Sequence, residues 1–227
     1  EAVLGVATGS SPLETYRALA ARRDAGLDLG RGSAFALDEY VGIARDHPES
    51  YHAVVDREVV QPLGLDAARV HVPDGLSPDL DAAAADYEAQ IVAAGGVDLQ
   101  LLGIGANGHI GFNEPTSSLA SRTRVKTLAP RTREDNARFF DSPDQVPVHC
   151  LTQGLGTILD ARHALLVAQG ASKAHAVAQI VEGPLSSMWP GSVLQLHRRA
   201  TIVIDEAAAS ELTLTDYYRS TVEHRGV

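Results

Sequence analysis

Residues 97–116 read VDLQLLGIGANGHIGFNEPT, an apolar run that gives way to a glycine-rich turn. Gly103 to Gly108 spell G-x-G-x-x-G straight after a strand-like segment. In a dinucleotide-binding turn that spacing lets the backbone approach a pyrophosphate, with the N-terminus of a new helix facing the anion. A helix should therefore open at once. Instead Gly108, Gly111 and Pro115 interrupt the next turns, and in a helix interior Gly costs about 1 kcal/mol and Pro about 3 kcal/mol relative to Ala. An acidic residue should also close the following strand roughly twenty residues on, where the chain reads RTRVKTLAP (122–130). The turn is better read as a glycine frame at the carboxyl end of a strand, built to hold His109.

Outward from this turn, short apolar runs near 2–7, 34–37, 98–104, 164–168 and 200–204 alternate with alanine-rich helical patterns. The alternation predicts an α/β fold, a mostly parallel open sheet with helices on both faces in a Rossmann-like three-layer arrangement. With 227 residues and no internal repeat, low-complexity tract or Pro/Ser-rich linker, the chain reads as a single domain, 1–227. It opens on Glu1 immediately before the strand-like VLGVA, which predicts that a strand-helix segment normally precedes it. No apolar stretch approaches the length of a membrane span and no signal-peptide pattern is present. The single cysteine, Cys150, excludes an internal disulfide and a thiolate metal cluster. Together these features predict a cytoplasmic protein with no membrane partner. The formal net charge of −10 argues against nonspecific nucleic-acid binding, which needs basic surface to displace counterions. An anionic ligand must then be drawn in by a local basic pocket.

In open α/β sheets the ligand sits outside the carboxyl ends of the strands, so the residues after each apolar run are the informative ones. The first run ends in TGSSP (8–12). Pro12 fits the first helical position, Ser11 the N-cap, and Glu14 completes a Ser-x-x-Glu capping box. Thr8, Gly9 and Ser10 then form a polar loop ahead of a helix N-terminus, where free N–H groups favour an anion. A phosphate seat and an ordinary capped turn both fit this loop. The second run ends in Asp38, Glu39 and Tyr40. Consecutive acids are ordinarily solvated loop residues, but on the rim of a phosphate pocket Asp38 becomes a candidate base.

His109 stands between Gly108 and Ile110, with Asn107 before it and Glu114 after it. An amide and a carboxylate so close in sequence can fix the imidazole tautomer, as a general acid/base needs. No second histidine or carboxylate at helical spacing completes a metal site, and no serine occupies a nucleophile elbow. The fourth run ends in QGASKAHAVAQIVEG (169–183), with Ser172 as the expected cap and Gly183 just past the helix. Lys173 then falls in the first turn, where a cation opposes the helix dipole. A bound anion would compensate; a lysine turned out into water is the alternative. Arg138 lies in RTREDNARFFD (131–141), a polar segment expected to cover the rim as a mobile lid. An anion cradle, a carboxylate, a positioned histidine and two cations suit proton transfer on a small phosphorylated molecule.

At this point LDEYVG (37–42), GIGANGHIGFNEPTSSLASRTR (103–124) and MWPGSVLQLH (188–197) resemble the glucosamine-6-phosphate deaminase family. The similarity begins at the TGSSP loop and runs along essentially the whole chain in consistent order, with GHIGFNEP followed by SSLASRTR as its most specific part. The family has a leading strand and helix that this chain lacks. The resemblance implies hydrolytic isomerisation of glucosamine 6-phosphate to fructose 6-phosphate and ammonia in amino-sugar catabolism, with no metal or organic cofactor. It implies that His109 opens the sugar ring, assisted by Glu114 and residue 107, and that Asp38 moves the proton from C2 to C1. Thr8, Gly9, Ser10, Arg138 and Lys173 are implied to hold the phosphate. Asn107 departs from members that carry aspartate there; it can accept a hydrogen bond from imidazole but adds no negative charge.

Some members have a regulatory phosphate site at a subunit interface in a homo-oligomer, and Ser117, Arg124, Lys126 and Thr127 match that allosteric pattern. Two other readings compete. A 6-phosphogluconolactonase shares the fold and a related glycine-histidine loop, but HIGFNEP and LDEY favour the deaminase. A non-catalytic sugar-phosphate sensor would need neither Asp38 nor His109.

Overall fold

The computed structural model describes residues 1–224. Its strands are β1 (Val3–Val6), β2 (Ser33–Ala36), β3 (Asp38–Tyr40), β4 (Val70–His71), β5 (Leu99–Leu102), β6 (Arg124–Thr127), β7 (His149–Thr152), β8 (Ala164–Ala168) and β9 (Ala200–Ile204). The α-helices are α1 (Leu13–Asp24), α2 (Tyr51–Val55), α3 (Gln61–Leu63), α4 (Leu80–Ala93), α5 (Pro130–Asn136), α6 (Leu155–Leu159), α7 (Ala174–Val181) and α8 (Thr215–Glu223). A π-helical stretch, Asp56–Val60, joins α2 to α3.

The five expected strands all form, and with β4 they make a six-stranded sheet in the order β4-β2-β1-β5-β8-β9 with every pair parallel. Side chains alternate between the faces of a strand, and the core divides accordingly. Val6, Ala34 and Ala36 pack with Tyr16 of α1 and with Val55, Val59 and Leu63 of the 51–63 helical stretch. Phe35 and Val3 point the other way, onto Tyr87 and Ile91 of α4. Farther along, Leu166 and Ala168 meet Leu155 and Ile158 of α6 and Val177 and Ile180 of α7. Each fully buried large aliphatic side chain contributes roughly 1.5–3 kcal/mol, and helices on both faces are needed to bury both sets.

From β1 the chain runs outward to β2 and β4; it returns through α4 to β5 on the other side of β1 and continues to β8 and β9. The direction reverses between β1 and β5. The loops that follow these two strands therefore open at the switch point, where an open sheet leaves a crevice. No helix forms between residues 103 and 123, which removes the dinucleotide-binding geometry.

Three local expectations are corrected. Asp38, Glu39 and Tyr40 are not a loop: they form β3, which pairs antiparallel with β7 in a second sheet of order β3-β7-β6. These short strands carry charged and polar residues, so hydrophobic alternation does not reveal them. Pro12, rather than Ser11, occupies the cap position of α1, with no side-chain cap. The Ser11 hydroxyl turns instead toward Gly103, and Glu14 pairs with Arg17. Nor does Ser172 cap α7. Residues 171–173 form a 3-10 turn that leaves Lys173 in the cap position, and the Asp205 carboxylate accepts the Gly170 N–H at the start of this turn.

Candidate active site

A cleft of about 320 Å³ opens at the switch point, and Thr8, Gly9, Ser10, Asp38, His109, Arg138 and Lys173 all line it. Residues from five separated stretches of sequence thus meet in one place.

Asp38 reaches the cleft because β3 alternates. Its neighbour Glu39 turns away, where one carboxylate oxygen accepts the Tyr40 N–H (2.8 Å) and the Tyr51 N–H (2.9 Å) and the other accepts the His52 N–H (3.0 Å) and the Ser50 hydroxyl (3.2 Å). Glu39 therefore anchors the start of α2. Burial, and secondarily the Glu39 charge, pushes the Asp38 carboxyl well above the usual carboxylate range. Such a group is a stronger proton acceptor than an exposed aspartate.

The His109 ring is held by a relay. Asn107 Nδ2 donates to Glu114 Oε2 at 2.8 Å, which turns Asn107 Oδ1 toward the histidine, 2.7 Å from Nδ1. The His109 backbone N–H also donates to that oxygen (3.3 Å). An amide oxygen only accepts, so Nδ1 must carry the proton and Nε2 of the neutral ring is left as the acceptor. Burial alone would raise the Glu114 carboxyl. The His109 ring 3.7 Å away, the Thr132 hydroxyl and the Asn107 amide outweigh it and bring the pKa down to about 2.

The glycines make room for this arrangement. A Cβ on Gly105 would lie 2.2–2.5 Å from the His109 ring. Gly108, at φ 80°, carries the flank of Trp189, and its carbonyl accepts the Gly191 N–H (2.8 Å). Thr116, left-handed at φ 75°, gives its N–H to Ser187 O (2.8 Å). The SMWPGS stretch (187–192) therefore buttresses the histidine loop, which stabilises a strained conformation.

Thr8, Gly9 and Ser10 lie between β1 and α1, with Gly9 at φ 83°. Lys173 and Arg138 line the same cleft without a carboxylate within ion-pair distance among the described residues. Burial lowers the Lys173 pKa; Asp135 opposes this and the Arg138 charge adds to it. The 131–141 segment folds as α5 followed by a 3-10 turn, Ala137–Phe139. It is docked on the site through Thr132 to Glu114 (2.5 Å), Asn136 to the Tyr40 hydroxyl (2.9 Å) and Phe140 against Tyr40.

Asn107 and Glu114 stand behind His109 and do not line the cleft. The allosteric candidates lie farther back. Ser117 is buried and donates to the Glu114 carbonyl (2.6 Å), and Arg124 gives Nη1 to Asn113 Oδ1 (2.9 Å) while its buried Nη2 has no partner among the described residues. Lys126 and Thr127 continue along β6, where Thr127 meets His149 Nδ1 at 3.2 Å. The sequence reading missed Tyr51, Arg57, Phe112, Thr132 and Asn136, which also line the cleft. Phe112 lies in the glycine frame, and Thr132 and Asn136 in the 131–141 segment expected to cover the rim, whereas Tyr51 and Arg57 come from helical turns without a motif.

The described residues contain no helix long and apolar enough to cross a membrane. Residues 1–203 match the family model of glucosamine-6-phosphate isomerases and 6-phosphogluconolactonases. Over 225 residues the chain is 59% identical to the glucosamine-6-phosphate deaminase of Pseudarthrobacter chlorophenolicus, covering 99% of this chain and 87% of the relative. It is 60% identical to that of Cutibacterium acnes, covering 99% and 86%. Among solved structures, a monomeric glucosamine-6-phosphate deaminase of the NagB superfamily superposes with a TM-score of 0.90 at 44% identity, over 92% of this chain and 88% of the other. A 6-phosphogluconolactonase from Trypanosoma cruzi gives a TM-score of 0.74 at 20% identity, over 93% and 84%, a likeness of fold alone. With residues 1–203 matched and relatives this similar along nearly the whole chain, the protein belongs to the family of glucosamine-6-phosphate isomerases and 6-phosphogluconolactonases.

Proposed function

We infer that the protein is a glucosamine-6-phosphate deaminase, converting glucosamine 6-phosphate and water to fructose 6-phosphate and ammonia. The observation that carries this reading is the pairing, in one cleft, of a buried aspartate with an amide-positioned histidine, beside two cations that have no carboxylate at ion-pair distance among the described residues. Lactone hydrolysis removes no proton from carbon, the step that a buried carboxylate of raised proton affinity suits. The similarity to lactonases is correspondingly weaker.

In the proposed mechanism the substrate phosphate rests on the Thr8–Ser10 loop, Arg138 and Lys173. His109 Nε2 takes the proton of the anomeric hydroxyl and returns it to the ring oxygen, opening the ring to an aldehyde. The Asn107–Glu114 relay supports the positive charge that builds on the imidazole meanwhile. Asp38 then removes the C2 proton as the aldehyde oxygen takes one from solvent water, forming an enolamine. The same carboxyl returns a proton to C1, leaving an iminium at C2. Water adds there and ammonia leaves, so that the C2 ketone forms with no net oxidation. Incubation with glucosamine 6-phosphate should release ammonia and fructose 6-phosphate in equal amounts. Release of neither product, with turnover of 6-phosphogluconolactone instead, would overturn the assignment.

A further inference from the structure

The donors to the Glu114 carboxylate come from two places. Asn107 reaches Oε2 from the His109 side, whereas Oε1 accepts the Ala129 N–H (3.2 Å) and the Thr132 hydroxyl (2.5 Å) at the start of α5. The α5 cap position is Ala129, which has no polar side chain, so the incoming carboxylate satisfies these donors. Thr132 is only 3% exposed. Four residues on, and so on the same helical face, Asn136 donates to the Tyr40 hydroxyl (2.9 Å) on the strand that carries Asp38. Arg138 follows two residues on, in the 3-10 turn after the helix. The helix is a strut with one end on the histidine relay, the other on the strand of the base, and the phosphate cation beyond.

We propose that Thr132 is a positioning residue for ring opening: its hydroxyl fixes Glu114 Oε1 so that Oε2 faces Asn107, which in turn selects the Nδ1–H form of His109. The proposal rests on the deaminase reading of the site. A carboxylate turns easily about its terminal torsion, and without Thr132 only one weaker backbone donor, Ala129 N–H, remains on Oε1. A carboxylate free to rotate no longer dictates which end of the Asn107 amide it meets. If that amide flips, its nitrogen faces His109 and Nε2 takes the proton. The acceptor that the sugar hydroxyl needs is then lost.

The test compares Thr132→Val, which keeps the shape and removes the donor, with Thr132→Ser, which keeps the hydroxyl. Nitrogen NMR of the His109 imidazole reports the tautomer without turnover, and steady-state kinetics on glucosamine 6-phosphate report function. The parent and the serine variant should show one Nδ1-protonated form, and the valine variant a mixture. In the valine variant kcat should fall about tenfold to a hundredfold, the usual weight of a hydrogen bond to a charged group. KM should stay within about twofold, because the phosphate contacts are untouched. The serine variant should keep most of the parent rate. An unchanged tautomer and kcat in Thr132→Val, or an equal loss in Thr132→Ser, would refute the role. Thr132→Ala carries the same two readouts if the valine variant cannot be purified folded. Absence of ammonia release by the parent would refute the deaminase reading instead, and the NMR comparison would still decide the position of Thr132.

Discussion

Asp38 and Glu39, consecutive on β3, face opposite ways: one lines the cleft and the other accepts the N–H groups at the start of α2. A buried carboxylate in a functional cleft opposes stability, and the sign can be worked out. The folded-state pKa of Asp38 is raised by burial and by the Glu39 charge. Its stabilising contribution is therefore fully present below the ordinary aspartate pKa and is lost as pH rises through the raised value. Asp38→Asn removes that loss. The variant should unfold at a higher temperature than the parent near neutral pH, and the difference should shrink toward zero as the pH falls below the ordinary carboxylate range. Calorimetry across pH checks this. Activity should meanwhile fall by about 10²–10⁴-fold, as for loss of a general base.

Asn107→Asp should change the pH profile rather than abolish activity. A carboxylate at this place puts a negative charge where Oδ1 now lies 2.7 Å from the imidazole, which favours the imidazolium. It also sets a second carboxylate against Glu114 Oε2, where an amide donor now sits at 2.8 Å. The Glu114 pKa should rise from about 2. Both effects move the acid limb of kcat/KM to higher pH, and a profile identical to that of the parent would show that the relay carries no charge in the reaction.

The proposed phosphate seat can be tested by binding alone. Burial, and secondarily the Arg138 charge, disfavour the charged form of Lys173, so replacing Lys173 with alanine should leave stability unchanged or slightly raised. The parent should be stabilised by inorganic phosphate through mass action on the folded state, and the variant much less. Loss of one charge-assisted contact, worth about 1.5–3 kcal/mol, lowers kcat/KM by roughly tenfold to a hundredfold. Unphosphorylated glucosamine should be a poor substrate for the parent. Equal turnover of both sugars would refute the cradle.

The parallel sheet was legible because five of its six strands fall in mostly apolar runs, and the glycine frame because Gly108, Gly111 and Pro115 disfavour a helix there. The small antiparallel sheet was not, since DEY, RVKT and HCLT have no apolar period to read. The same sheet explains why Asp38 and Glu39 take opposite roles, a division that two adjacent acids in sequence do not announce. His109 and its partners were legible because Asn107 and Glu114 are local. Thr132 and Asn136 were not, because their partners lie 18 and 96 residues away in sequence.

In the proposed mechanism the chemistry divides between Asp38 and His109, and the division can be measured. The His109 ring is packed against Gly105 and locked by Asn107 in a form that offers Nε2 to a hydroxyl, whereas Asp38 is a buried carboxylate with a raised proton affinity. His109→Gln should therefore impair ring opening, and Asp38→Asn should impair removal of the C2 proton. In deuterated water, exchange at C2 of the substrate followed by NMR should nearly cease in Asp38→Asn while sugar phosphate still binds. Ring opening precedes proton removal, so His109→Gln should slow turnover of the cyclic sugar most. Substrate supplied in the open-chain form should recover much of that loss in His109→Gln and none in Asp38→Asn. Normal C2 exchange in Asp38→Asn would remove this residue as the base. Failure of open-chain substrate to restore His109→Gln would place the histidine in a later step, where it would have to act on the enolamine or the iminium instead of on the ring oxygen.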